Sequence, residues 1–228
     1  MGRTVHKFTP EGELLMTLGT PGEAGDGPDY FEEPNDVAVA PNGDIYVADG
    51  HGTGAGVQGN ARVVKFDRDG NFITAWGKKG MKPGEFDMPH ALDLDSRGWV
   101  YVADRINNRV QVFEPDGTLA HVWYQFGRPS TIYIDQNDML YVSDSESRDG
   151  RSNIGRPPIN GSGYGFNPAT RRGIRIGSAL TGEVQSFLPS HCSYPYPGVS
   201  GAEGLAVDED GNIYGAEWLG TVRKYIPK

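Results

Sequence analysis

His90 and Glu203 are the side chains of this 228-residue chain best suited to hold a metal ion. His90 stands in Met88-Pro89-His90-Ala91 and Glu203 in Ala202-Glu203-Gly204. A neutral imidazole is a ligand for zinc and other borderline metals, and imidazole plus carboxylate is an ordinary zinc set. The competing role for His90 is structural, capping the turn after Pro89 and bonding to a neighbouring element. Asn35 and Ser130 sit in similar contexts, Pro34-Asn35-Asp36 and Pro129-Ser130-Thr131, and suit either a polar rim that binds ligand or plain hydrogen bonding. His51 opens out of a glycine-rich loop, Gly50–Gly59, the kind of segment that carries function. That loop lacks the lysine and following helix of a phosphate loop, so no organic cofactor is implied. Arg171, with Arg172 and Arg175, is a candidate for neutralising an anionic ligand, against the alternative of charge on a solvated face. His191 precedes Cys192 in a stretch with Tyr194 and Tyr196. Cysteine beside histidine suggests a nucleophile or a ligand, but sequence neighbours rarely point at one another, which favours a loop packed over a site.

The elements that must position these residues are short strands. In Phe86–Phe113, Leu92 and Leu94 alternate with polar neighbours, as in a half-buried strand. Ser96-Arg97-Gly98 turns, Val100–Ala103 is apolar enough to be buried on both faces, and Arg109–Phe113 and Leu119–Trp123 complete four antiparallel strands. The unit recurs. Ile45-Tyr46-Val47-Ala48-Asp49, Val100-Tyr101-Val102-Ala103-Asp104, Leu140-Tyr141-Val142-Ser143-Asp144 and Ile213-Tyr214-Gly215-Ala216-Glu217 align. Fixed self-similarity of four short strands predicts an all-β propeller of four-stranded antiparallel blades, one domain over residues 1–228. First strands line a propeller's channel, so Asn35, His90, Ser130 and Glu203, equivalent by alignment, are expected to ring its mouth. The recurrence of Asp49, Asp104, Asp144 and Glu217 points to a structural task, accepting backbone N–H bonds from the turn that follows.

Insertions at Gly50–Gly59, Glu146–Arg172 and Pro189–Ser200 are expected on one face of the array, the binding face. The ends are irregular. Thr4–Phe8 and Leu14–Leu18 match the third and fourth strands of a blade, and the last repeat stops after a third strand. Seventeen strands do not divide into fours, so either the ends share a blade or open edges favour a homo-oligomer.

A net charge of −9 argues against nucleic acid or an anionic membrane as partner. The single cysteine, Cys192, excludes an internal disulfide. No apolar run reaches the ~18 residues of a membrane span. Met1-Gly2-Arg3-Thr4 enters a strand pattern at once, without an export signal, and the compartment is not legible.

The repeats PNDVAVAPNGDIYVADG, MPHALDLDSRGWVYVADRINNRVQVF and AEGLAVDEDGNIYGAE resemble the NHL type. Within it, Phe31–Phe113, including TAWGKKG and PGEFDMPHAL, is most similar to the peptidyl-α-hydroxyglycine α-amidating lyases and their bacterial relatives. That resemblance implies a six-bladed propeller, a channel-mouth zinc held by three histidines, a deeper calcium, and a catalytic arginine and tyrosine. His90 falls on one zinc histidine, Glu203 on the place of another and His51 near the catalytic tyrosine. The places of the third histidine and the arginine fall before Met1, and Gly204 replaces a calcium-binding carboxylate. The expectation is a propeller that binds zinc or calcium and a small polar or peptide-like ligand, with metal-dependent lyase chemistry, His51 as base, and His90 and Glu203 as ligands. The alternative is a non-catalytic scaffold for protein–protein interaction.

Overall fold

A computed structural model describes residues 2–51, 59–147, 170–190, 201–217 and 220–227. The described chain is all strand and turn, with no helix. β1 (Val5–Phe8) and β2 (Leu14–Leu18) form a two-stranded sheet. β3 (Pro34–Val39), β4 (Ile45–Asp49), β5 (Arg62–Phe66) and β6 (Phe72–Trp76) form the first complete blade. The second contains β7 (Pro89–Leu94), β8 (Val100–Asp104), β9 (Arg109–Phe113) and β10 (Leu119–Trp123). The third contains β11 (Pro129–Ile134), β12 (Met139–Asp144), β13 (Gly173–Ser178) and β14 (Val184–Pro189). A three-stranded sheet of β15 (Ala202–Val207), β16 (Ile213–Glu217) and β17 (Thr221–Tyr225) ends the array. Every pairing between these strands is antiparallel and joins chain neighbours, and the first strands β3, β7, β11 and β15 pack in succession, as in a propeller.

The packing follows from period two. On the first blade, Ala38, Tyr46, Ala48 and Val63 face forward, onto Leu92, Val100, Val102 and Phe113 of the second. On the second, Ala91, Tyr101, Ala103, Val110 and Val112 meet Ile132, Ile134, Leu140 and Val142 of the third. Second strands lie between two such layers, and β4 and β8 are buried along their whole length. Tyr46, Tyr101, Tyr141 and Tyr214 occupy the same register, opposite Ala38, Asp93, Tyr133 and Ala206. The Tyr46 and Tyr101 hydroxyls donate across the blade boundary to the Pro115 and Ala179 carbonyls.

The recurrent carboxylates do more than the sequence suggests. Asp49 Oδ1 accepts the Glu32 and Glu33 N–H groups, Asp104 Oδ1 that of Asp87, and Asp144 Oδ2 that of Arg128. These donors precede the first strand of the same blade rather than following the second. The following turn contributes backbone bonds at Asp144, from the Glu146 and Ser147 N–H groups. The difference arises because the second strand's end lies beside the first strand's start, so one buried carboxylate serves both. An arginine of the third strand answers each: Arg62 for Asp49 at 3.1 Å, Arg109 for Asp104 at 2.6 Å, Arg175 for Asp144 at 3.5 Å, Arg223 for Glu217 at 2.6 Å.

Candidate functional site

The channel mouth is built by two positions in each repeat. The first is the start of strand one. Met88 adopts a left-handed backbone, φ 65°, and turns the chain so that Pro89 and His90 enter β7. The second is the residue just after the carboxylate closing strand two, which is Gly50, Arg105 and Ser145 in the three complete blades. The Arg105 N–H donates to the Met88 carbonyl at 3.1 Å, tying the two positions together. At Gly50, φ is +131° and an added Cβ would stand 1.8 Å from the Asn60 carbonyl oxygen, so that position admits no side chain. At Arg105 and Ser145 the side chains reach into the mouth.

Strand-one side chains stitch neighbouring blades. Asn35 Nδ2 donates to the Pro89 carbonyl at 2.9 Å, and Thr131 Oγ1 donates to the Glu203 carbonyl. His90 Nδ1 lies 2.6 Å from the Ser130 carbonyl, and His90 Nε2 lies 2.6 Å from Arg105 Nη1. A guanidinium only donates, so Nε2 is the acceptor and the proton is on Nδ1. Arg105 Nη2 continues to Glu146 Oε2 at 3.2 Å and Glu203 Oε1 at 3.3 Å. Ser145 Oγ donates to Glu203 Oε1 at 2.8 Å and meets Ser130 Oγ at 2.6 Å. Arg128 Nε reaches Glu146 at 2.8 Å. His51 stands beside His90, ring centroids 5.2 Å apart.

Burial, and then the Arg105 charge, push the His90 imidazole down to about 4. The same two causes lower His51. Both rings are therefore neutral at pH 7. Further along the first strands, burial raises Asp93 to about 6 and raises Asp36. Each of these carboxylates accepts an N–H of the next blade, Leu92 for Asp36 and Ile134 for Asp93.

The structure thus brings His51, His90, Ser130 and Glu203 together, and commits Asn35 to the blade junction. Arg171 is exposed, and its carbonyl accepts from Arg175, whose guanidinium serves Asp144 rather than the mouth. His191 and Tyr194 lie outside the described residues. Sequence reasoning missed Arg105, Arg128, Ser145 and Glu146. The signal for Arg105 and Ser145 was the position after each strand-closing Asp, occupied by Gly, Arg and Ser in turn; Arg128 and Glu146 lie outside it.

The zinc expectation meets a specific obstacle. His90 Nε2 and Glu203 Oε1, the two candidate ligand atoms, both face the Arg105 guanidinium. Among the described residues no three His, Cys, Asp or Glu side chains are grouped to hold a metal. The described residues do not by themselves form a three-ligand catalytic zinc site. No calcium cage of carboxylates is grouped among them either.

The fold and its repeats define an NHL-repeat β-propeller, and the NHL repeat family matches residues 31–55 and 86–113. The chain is 34% identical over 168 residues to NHL repeat-containing protein 3 of Homo sapiens, a match spanning 71% of this chain and 47% of that protein. It is 40% identical over 113 residues to a probable peptidyl-alpha-hydroxyglycine alpha-amidating lyase of Caenorhabditis elegans, covering 48% of this chain and 30% of the lyase. The matches thus span half or less of these relatives' length. Virginiamycin B lyase of Staphylococcus aureus shares the fold, with a TM-score of 0.57 at 10% identity, over 99% of this chain and 63% of that one. No helix among the described residues is long and apolar enough to cross a membrane.

Proposed function

We propose that the channel mouth binds a small, polar, peptide-like ligand and supports lyase chemistry on it. The observation that carries this reading is the convergence of His51, His90, Arg105, Ser145 and Glu203, from four successive sheets, on one linked polar cluster. Two neutral imidazoles beside a buried guanidinium are what proton removal next to a carboxylate-bearing substrate needs. The amidating-lyase relatives suggest the substrate class, a peptidyl-α-hydroxyglycine. His51 takes the hydroxyl proton as the base. The oxygen's electron pair closes the new carbonyl, the C–N bond breaks, and the amide nitrogen takes up a proton. Products are the peptide amide and glyoxylate. Arg105 orients the substrate carboxylate, and His90, through Nε2, holds Arg105 in place.

The test is incubation of the purified chain with a peptidyl-α-hydroxyglycine at pH 7, amide and glyoxylate being measured by chromatography. His51→Ala is the control, and calorimetry with the product amide reports binding separately. Glyoxylate above the spontaneous rate, lost in His51→Ala, supports the lyase reading. Absence of both turnover and binding refutes it.

A second reading is a protein-binding scaffold. It is favoured by a groove of about 380 Å³ between β1–β2 and β3, lined by Val5, Met16, Leu18, Val37, Val39 and Ile45.

A further inference from the structure

The cation at this channel mouth is part of the chain. We infer that the Arg105 guanidinium occupies the place between His90 and Glu203 that a metal ion would take, so that the site works without a bound metal. This inference rests on the geometry of those three residues and not on the lyase reading.

Three observations carry it. First, the lone pair a metal would need is engaged, because His90 Nε2 accepts from Arg105 Nη1 at 2.6 Å. His90 Nδ1–H is anchored on the Ser130 carbonyl, so flipping the ring to offer the other nitrogen would break that bond as well. Second, Arg105 and Arg128, the latter 2.8 Å from Glu146, together neutralise the two acids. Arg105 Nη2 lies 3.2 Å from Glu146 and 3.3 Å from Glu203, and Ser145 donates to the same Glu203 oxygen. A divalent ion brought to these atoms meets a fixed positive charge at contact distance, with no surplus of negative charge to offset it.

Third, Arg105 is not a mobile surface side chain. It is 6% exposed, its N–H is bonded to the Met88 carbonyl, and its own carbonyl accepts from Arg128 Nη1 at 3.3 Å. The residue grows from the tight turn after Asp104, whose carboxylate is locked by Arg109 at 2.6 Å. The equivalent place in the preceding blade is Gly50, which admits no side chain, and the mouth on that side is left to the Arg105 side chain and the His51 ring.

The reciprocal consequence provides the test. Removing the guanidinium frees His90 Nε2 and releases Glu203, while Glu146 keeps Arg128 at 2.8 Å, and the cluster becomes a cation site. Wild-type protein, Arg105→Ala and Arg105→Gln are each stripped with chelator and dialysed against zinc. Zinc per chain is measured by elemental analysis, and affinity by competition with a chromophoric chelator. Cobalt(II) absorption reports coordination independently. The expectation is no stoichiometric zinc in the wild type, and one zinc per chain in the variants, tighter by about 100-fold or more. That zinc is lost when His90→Ala is added.

Arg105→Gln keeps donors while removing the charge, so it stands in if Arg105→Ala fails to fold. The wild-type arm is decisive in itself. One zinc per wild-type chain that disappears in His90→Ala overturns the inference, whatever the variants do. Equal, weak zinc binding in the wild type and in a folded Arg105 variant also overturns it, since the guanidinium would then exclude nothing. Failure of the lyase assay leaves these results untouched, so the two readings fail separately.

Discussion

Asp93 carries an ionisation cost that a single substitution should expose. Its Oδ1 accepts the Leu94 N–H at 2.8 Å and its Oδ2 the Ile134 N–H at 2.7 Å, across the boundary to the third blade. Burial, reinforced by the charge of Asp36, outweighs those two bonds and raises the carboxyl from 3.8 to about 6. The native state therefore holds a proton between pH 3.8 and 6 that the unfolded chain has released, and stability falls as pH rises through that window. Roughly two pK units correspond to ~3 kcal/mol, absent below the window and fully felt above it. Asp93→Asn removes the charge but offers one carbonyl oxygen to two N–H groups, a loss of ~1 kcal/mol. The variant should therefore be more stable than the wild type by ~2 kcal/mol at pH 7.5, and about equally stable at pH 4.5, where ~1 kcal/mol of the cost is already felt.

Urea unfolding at intervals across that range measures the difference, in which groups unaffected by the substitution cancel. Relief of Asp36, whose carboxyl is also raised, adds in the same direction. Variant and wild-type curves that stay parallel from pH 4.5 to 7.5 would refute the reasoning. His90 works in the opposite sense. Its folded value of about 4 lies below 6.5, so its contribution is present above 6.5 and lost as pH falls toward 4. His90→Gln should accordingly reduce the loss of stability on acidification.

Other outcomes follow from the packing. Arg109 holds Asp104 and the Met81, Lys82 and Glu85 carbonyls, so Arg109→Met should cost ~3–5 kcal/mol in urea unfolding, by leaving a buried carboxylate unpaired. Gly12 and Gly117 share φ +92°, but a Cβ at Gly12 meets nothing within 4 Å and one at Gly117 stands 2.9 Å from Trp76. Gly12→Ala should cost ~1–2 kcal/mol for backbone alone, and Gly117→Ala ~1–3 kcal/mol more for displacing the indole, read from paired melting curves. Val37 and Val39 are 44% and 63% exposed at the positions that Leu92 and Leu94 fill at a blade boundary, while Val222, at 67%, marks the open face of β15–β17. The expected occupant of the groove is a second copy offering that face, with Ala206, Tyr214 and Ala216 at the register positions that Ala38, Tyr46 and Ala48 hold internally. Sedimentation should show mass rising with concentration and Val39→Lys abolishing it; a concentration-independent monomer would contradict this.

The strands were legible because burial on a pleated sheet imposes period two, and the repeats because every blade solves the same packing problem. Tyr101 and Val100–Ala103 could be placed from pattern alone, since two flanking blades leave second strands no polar face. The partial sheets at both ends were legible for the same reason, as strand counts are local. The structural partners of Asp49 and Asp104 were less so, because their donors lie in the segment entering strand one, many residues upstream, and are brought near only by the closed blade.

The site was half legible for a related reason. His90 and Glu203 hold one repeat position, and a ring of equivalent positions made their approach predictable. Arg105 belongs to a second ring, and equivalence conceals it there, because Gly50, Arg105 and Ser145 have nothing in common as residues. Alignment weights what recurs, which is the scaffold, whereas the chemistry of a propeller lies where equivalent positions differ. At the first blade the Asn60 carbonyl forces a glycine; at the second an arginine extends to His90, Glu146 and Glu203; at the third a serine hydroxyl meets Ser130 and Glu203. The three choices form one packing solution around a single guanidinium. That solution requires the three turns to be side by side, a relation set by the ring and absent from any one repeat.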